Sequence, residues 1–227
     1  MSIENSGVAP SGKAGANKGR QFIVNGQAFT LNDKDPTARQ ILVAASFLPA
    51  DEGILVQLIG EASQAVGLDE TVALDPPGQE VFRAFRGDRI FRFTLAGLGC
   101  DWGAAEIAET DLREIAGIDE DHVIILERDG RDRELGPDDR VELSKHGTEH
   151  FRVERGYVTV LYDGQEVRLK RGRYTTEQLI AAFDVPSGYL LNLIDEHNML
   201  VPLKPGETIR IKKGMRFVSQ VPGGGSS

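Results

Sequence analysis

From Gln21 onward the chain alternates apolar and polar positions in short runs, changes to an apolar stripe of helical spacing, and then alternates again. "FIVNGQAFTL", residues 22–31, reads as two strands around Asn25-Gly26. "VTVLYDGQEVRL", residues 158–169, reads the same way around Asp163-Gly164. Both dipeptides suit a tight hairpin, whose two central residues need positive φ. "FRFTLAGLGCDWG", residues 91–103, has the alternation without such a dipeptide. A helix is expected after each hairpin, near 36–48, 110–117 and 175–184. The expected starts are Asp35 as N-cap with Pro36 in the first turn, Thr110, and Thr175 or Thr176. Ile41, Leu42, Leu112, Ile115, Leu179 and Ile180 then form the faces that meet a sheet. "GILVQLI", "HVIILERD" and "YLLNLIDEHN" supply the next strands.

The ends of these segments also repeat. Leu68, Leu135 and Leu203 each precede an acidic turn, an alternating strand, a turn glycine (Gly78, Gly147, Gly214) and a strand with phenylalanine (Phe82, Phe151, Phe217). A period of roughly 70 residues is a stronger signal than any single motif. The class is therefore α+β: three tandem copies of a mixed sheet packed on one helix, the β-grasp arrangement, over 21–87, 88–156 and 157–221. Residues 1–20, nearly free of large apolar side chains, are expected to be a disordered tail, and 222–227 a flexible glycine-rich one.

Charge narrows the classes of function. The net charge is −9, which argues against whole-molecule binding to nucleic acid or anionic membranes. No apolar run of about 18 residues is present, and the first residues lack a signal-peptide core, so a cytoplasmic location is expected. Residues 21–86 hold 4 basic and 9 acidic side chains (net −5), residues 87–155 hold 10 and 18 (net −8), and residues 156–227 hold 9 and 7 (net +2). Within the basic third segment, Arg210, Lys212, Lys213 and Arg216 are candidates for docking a partner. The same charges also suit a solvated strand edge. Cys100 is the one cysteine, so no disulfide framework exists within the chain, and it lacks a nearby histidine to activate it. His146 and His150 have helical spacing but flank Gly147 in a strand-like stretch, which argues against a metal pair. No catalytic constellation, metal set or cofactor motif is legible, so an enzyme is not expected.

The last stretch is "VPGGGSS". On its own it fits a limp end or an expression scar, or a bare peptide for another protein's active site. Tandem β-grasp copies ending in glycines resemble the prokaryotic multiubiquitin proteins, a bacterial ubiquitin-like family, over residues 21–225. The resemblance implies that Gly223, Gly224 and Gly225 are the conjugation and processing residues, and that Ser226 and Ser227 are trimmed by a peptidase. An activating enzyme would then adenylate the exposed glycine carboxylate, and a conjugating enzyme would pass it to a target. Which glycine becomes the terminus stays open. The internal boundaries, Arg86-Gly87 and Arg155-Gly156, carry one glycine each, so the three copies are expected to remain joined, with those glycines as φ-tolerant linkers. A noncovalent ubiquitin-like scaffold is the alternative. A sulfur carrier, which also ends in glycines, is a further one. Phage defence is suggested by the resemblance alone.

Overall fold

The structure is a computed structural model that describes residues 19–75, 80–143 and 148–222. Both expected tails lie outside these residues, apart from Gly19 and Arg20 at one end and Pro222 at the other; Gly78, Gly147 and His146 are outside them too. The first repeat holds β1 (Arg20–Val24), β2 (Gln27–Leu31), α1 (Ala38–Ala44), β3 (Gly53–Ile59), β4 (Ala62–Val66) and β5 (Val81–Arg86). The second holds β6 (Phe91–Leu95), β7 (Leu98–Trp102), β8 (Glu106–Ala108), α2 (Glu109–Ala116), β9 (His122–Glu127), β10 (Arg133–Glu134), β11 (Arg140–Glu142) and β12 (Glu149–Arg155). The third holds β13 (Tyr157–Tyr162), β14 (Gln165–Lys170), β15 (Gly172–Thr175), α3 (Thr176–Ala182), β16 (Leu190–Ile194), β17 (Leu200–Pro202), β18 (Thr208–Ile211) and β19 (Arg216–Gln220).

Each repeat contains a five-stranded mixed sheet of one order: β2-β1-β5-β3-β4, β7-β6-β12-β9-β10 and β14-β13-β19-β16-β17. First and last strands run parallel at the centre, with matching rungs Val24↔Phe82, Leu95↔Phe151 and Tyr162↔Phe217. All three phenylalanines are buried to 2 % exposure or less. Phe82 meets Phe22 edge-on, and Phe151 meets Phe93 edge-on. Phe217 packs on Phe183, which stacks on Tyr162. The helix residues Ile41, Leu42, Leu112, Ile115 and Leu179 are buried, and Ile180 packs half-buried against the third core.

The hairpins turn identically. Asn25-Gly26 and Asp163-Gly164 have positive φ at both positions, and so do Ala96-Gly97 in the middle copy (φ 51° and 83°). Ala96 thus holds, without Asx chemistry, a conformation that Asn and Asp adopt more readily. Its N–H bonds the carbonyl of Phe151, as those of Asn25 and Asp163 bond Phe82 and Phe217.

The helix starts correct two expectations. The N-cap of α1 is Thr37, not Asp35, because Thr37 and Gln40 form a reciprocal capping box. Helix α2 begins at Glu109, one residue before Thr110, with no side-chain cap. There the Glu109 N–H is taken by the carbonyl of Asp139 (2.9 Å). Thr175 caps α3 as expected, with Gln178 completing the box. Helices α1 and α3 are shorter than expected, and α2 has the expected eight residues, shifted by one. Each ends where Ser46, Gly117 or Asp184 adopts a left-handed conformation.

The acidic turns do a job common to the three copies. Glu70, Asp139 and Glu207 each accept, through the side-chain carboxylate, an N–H three residues back, from Gly67, Gly136 and Lys204. Their own carbonyls accept the first helical N–H of Ala38, Glu109 and Thr176. This register aligns Val66, not Leu68, with Leu135 and Leu203; the expected leucine alignment is off by two residues. An N–H at a helix start has no intrahelical partner, so the turn fixes the helix onto its sheet.

Internal contacts divide the chain into two compact units. Among the described residues, one contains those up to Ile59, those of Ser63–Phe91 and Asp101–Ala104; the other contains Gly60–Ala62, Arg92–Cys100 and those from Ala105 on. In the first, Phe85 meets Trp102 edge-on at 4.7 Å, and Ser63 Oγ donates to the Asp101 carbonyl. No helix among the described residues is long and apolar enough to cross a membrane.

Leu112 and Leu179 are fully buried beneath separate sheets. Leu112→Ala and Leu179→Ala are each expected to cost about 2–5 kcal/mol. Urea unfolding followed by NMR should show each loss confined to the transition of its own repeat.

Candidate functional site

The candidate site is where the last strand leaves the third sheet. Strand β19 is central, parallel to β13 and antiparallel to β16. It anchors through Phe217, 1 % exposed, and ends at Gln220. Val221 is 62 % exposed and Pro222 is exposed, so the chain has left the core before the glycines begin. Gly223, Gly224, Gly225, Ser226 and Ser227 lie outside the described residues.

The four basic candidates do not form one face. Arg210 turns to the second repeat and pairs with Asp121 (2.7 Å) and Glu120 (3.0 Å), all within the second compact unit. Asp121 is nearly buried, so this charge is committed inside the chain. Arg216 donates to Asn198 Oδ1. Lys212 and Lys213 are exposed at the turn between β18 and β19. With Arg210, Asp121, Tyr157 and Thr159 they line an open groove of about 550 Å³. The acidic run Asp119-Glu120-Asp121 was the signal for this contact, though nothing in the sequence paired it with Arg210. Asp119 accepts from His122 Nδ1 (2.8 Å) and the Asp121 N–H (3.0 Å), which hold its carboxyl below the usual aspartate range, His122 foremost.

The internal boundaries differ from the C-terminal one and from each other. Gly87 has φ 143° and open space around it, so it serves as the expected φ-tolerant linker. Gly156 does not. It is the sole residue between β12 and β13 and is buried. Its N–H donates to the Asp121 carbonyl (2.8 Å), and its carbonyl accepts from the Arg171 N–H (2.8 Å). A Cβ there would come within 3.0 Å of Arg171 Cδ and Nε and of Val123 Cγ1. Glycine at 156 answers a lack of space, not a need for unusual φ.

The remaining chemical candidates fall into the scaffold. Cys100 is buried on β7, which closes it to a nucleophile's role. His150 shares a hydrogen bond with Thr94 Oγ1 at 2.7 Å.

The sequence profile of the multiubiquitin family matches residues 21–87 and again residues 91–156, more than half of the chain. The chain belongs to the multiubiquitin family. Its fold is ubiquitin-like, in tandem copies, and the third sheet repeats the strand order of the two matched regions. No curated protein matches the sequence.

For this multiubiquitin chain, the Arg210–Asp121 contact predicts a protease pattern. Trypsin should leave the Arg155–Gly156 bond intact in the native protein. Arg210→Glu leaves Asp121 nearly buried and facing a like charge, at a cost of roughly 1–3 kcal/mol. Cutting after Arg155, mapped by mass spectrometry, should then accelerate about tenfold or more.

Proposed function

We propose that the chain is a ubiquitin-like protein modifier built of three β-grasp domains, 21–87, 88–156 and 157–221. A cytoplasmic peptidase trims it within Gly223-Gly224-Gly225-Ser226, after Gly224 or Gly225, and removes Ser226 and Ser227. The freed glycine carboxylate attacks the α-phosphorus of ATP on an activating enzyme and displaces pyrophosphate. A cysteine thiolate of that enzyme displaces AMP to form a thioester, which moves to a conjugating enzyme. A nucleophile on the target then displaces the thiol. The modifier contributes no catalytic group. Its folded surface supplies docking energy, and the glycines place the carboxylate where a Cβ would obstruct a narrow channel.

The observation that carries this reading is the contrast between two strand ends. After β12 the backbone of Gly156 is bonded on both sides and enclosed. After β19 the chain is exposed by Val221 and Pro222. A peptidase must draw substrate backbone into an extended form, and the exposed exit at Val221 and Pro222 leads away from the third repeat's core. Lys212 and Lys213 stand exposed in the same repeat, and a partner with an acidic surface would meet them first.

Intact-mass analysis of the chain expressed with its processing peptidase should show loss of the residues beyond one glycine. With the full enzyme set, Gly224→Ala and Gly225→Ala should reduce conjugates about tenfold or more at whichever position becomes the terminus. An uncut chain that forms no conjugates would leave the noncovalent scaffold as the function.

A further inference from the structure

We infer that Asp163 is a positioning residue that fixes where the C-terminal segment separates from the sheet; its bearing on processing rests on the modifier reading above, but its geometry does not. Strand β13 pairs with β19 at Leu161↔Arg216 and Tyr162↔Phe217 and then turns away at Asp163-Gly164. Strand β19 continues through Val218, Ser219 and Gln220 with β16 on one edge. On the edge left by β13, the last backbone rung is Asp163 N–H to the Phe217 carbonyl, 3.0 Å. The Asp163 carboxylate then makes one more: Ser219 N–H donates to Oδ1 (3.0 Å), and the Ser219 hydroxyl donates to Oδ2 (2.8 Å). The carboxylate takes the part that the next carbonyl of a longer parallel strand would play.

The first repeat has the same device with different chemistry. Asn25 accepts the N–H of Ala84 on Oδ1 (3.0 Å) and donates from Nδ2 to the Ala84 carbonyl (3.1 Å). Ala84 and Ser219 each stand two residues after the buried phenylalanine of their last strand. Each clasp matches its partner. An ionised Asp only accepts, and Ser219 offers two donors; Asn both accepts and donates, and Ala84 offers one of each. The second repeat has Ala96 at this position, which has no side-chain polar atom to form the extra rung. The clasp is present in the first and third repeats and absent from the second, where β12 passes through Gly156 into β13.

The clasp therefore holds one edge of β19 through Ser219 while β16 pairs the other through Gln220, so the reachable segment begins at Val221. Gly225 is five residues beyond Gln220, a reach of about 17 Å at full extension. Without the clasp, fraying begins nearer Phe217 and a partner has to order a longer segment.

Amide hydrogen exchange by NMR on the full chain, unaltered and as Asp163→Ala and Asp163→Asn, tests this without any conjugation enzyme. In Asp163→Ala the Ser219 amide should exchange about tenfold or more faster while the Phe217 amide keeps its protection. Asp163→Asn retains an oxygen for the Ser219 N–H and should stay within about threefold of the unaltered chain. Brief proteinase K digestion should move the first cut in Asp163→Ala from beyond Gln220 to within Val218–Gln220. Because Ala96 already holds this turn in the second repeat, Asp163→Ala is expected to fold. Loss of Phe217 protection together with that of Ser219 would overturn the local role and assign Asp163 to general stability. Unchanged Ser219 exchange in Asp163→Ala, or equal acceleration in Asp163→Asn, would also overturn the inference. A failure to detect trimming or conjugation would touch only the modifier reading.

Discussion

Each repeat depends on the parallel pairing of its first and last strands around one buried phenylalanine. Residues some 58 positions apart, such as Val24 and Phe82, must meet before either contributes to a core. Once they meet, the helix has a surface to cover and the hairpin has a partner for its turn N–H. The turn at Asn25, Ala96 or Asp163 then does more than reverse the chain. Its backbone donates to the phenylalanine carbonyl, so hairpin geometry and last-strand position are coupled through a single bond. Positive φ at that residue and the next turns the chain back into its hairpin partner, and Ala96 holds the same conformation at an energetic cost of its own.

A second constraint sits at the other end of each helix. The first helical N–H finds no partner within its helix, and a buried one would be costly. In each copy the acidic turn before the fourth structural segment supplies a carbonyl, and its carboxylate locks the turn itself. The three copies share this machinery with little identity of sequence: Glu70, Asp139 and Glu207 all serve, because only a carboxylate at the right reach is needed. That tolerance explains how the repeats can differ in charge by so much and keep one topology.

Period, strand order and helix existence were legible because they follow from apolar spacing, as the burial of Ile41, Leu112 and Leu179 shows. Caps were less legible. Asp35-Pro36 looks like a helix start, but Thr37 and Gln40 satisfy each other and two backbone groups, and that reciprocity decides the boundary. The middle hairpin looked weak because residue type was the signal, whereas the tertiary bond to Phe151 imposes the turn. The candidate site was legible only as composition. A run of basic residues does not reveal that Arg210 faces Asp121, because that pairing spans 89 residues and depends on how β13 follows β12. The single glycine at 156 likewise gave no hint that space was the reason for it.

Under the proposed modifier function, the boundary glycines bear on how one chain could be both a substrate and a continuous body. Recognition of glycine by type alone would not distinguish Gly156 from the glycines after Pro222. At Gly156 the backbone donor and acceptor are both bonded within the second compact unit, and extending that backbone into a protease channel would require breaking those bonds and displacing Arg171 and Val123. Beyond Ser219 the clasp has ended and Val221 and Pro222 stand exposed. Under the proposed modifier function, local stability would select the bond that a peptidase cuts. The same logic assigns a purpose to the charge difference between repeats. The acidic second segment holds Arg210 inward to brace the junction, while Lys212 and Lys213, two and three residues further along, remain exposed.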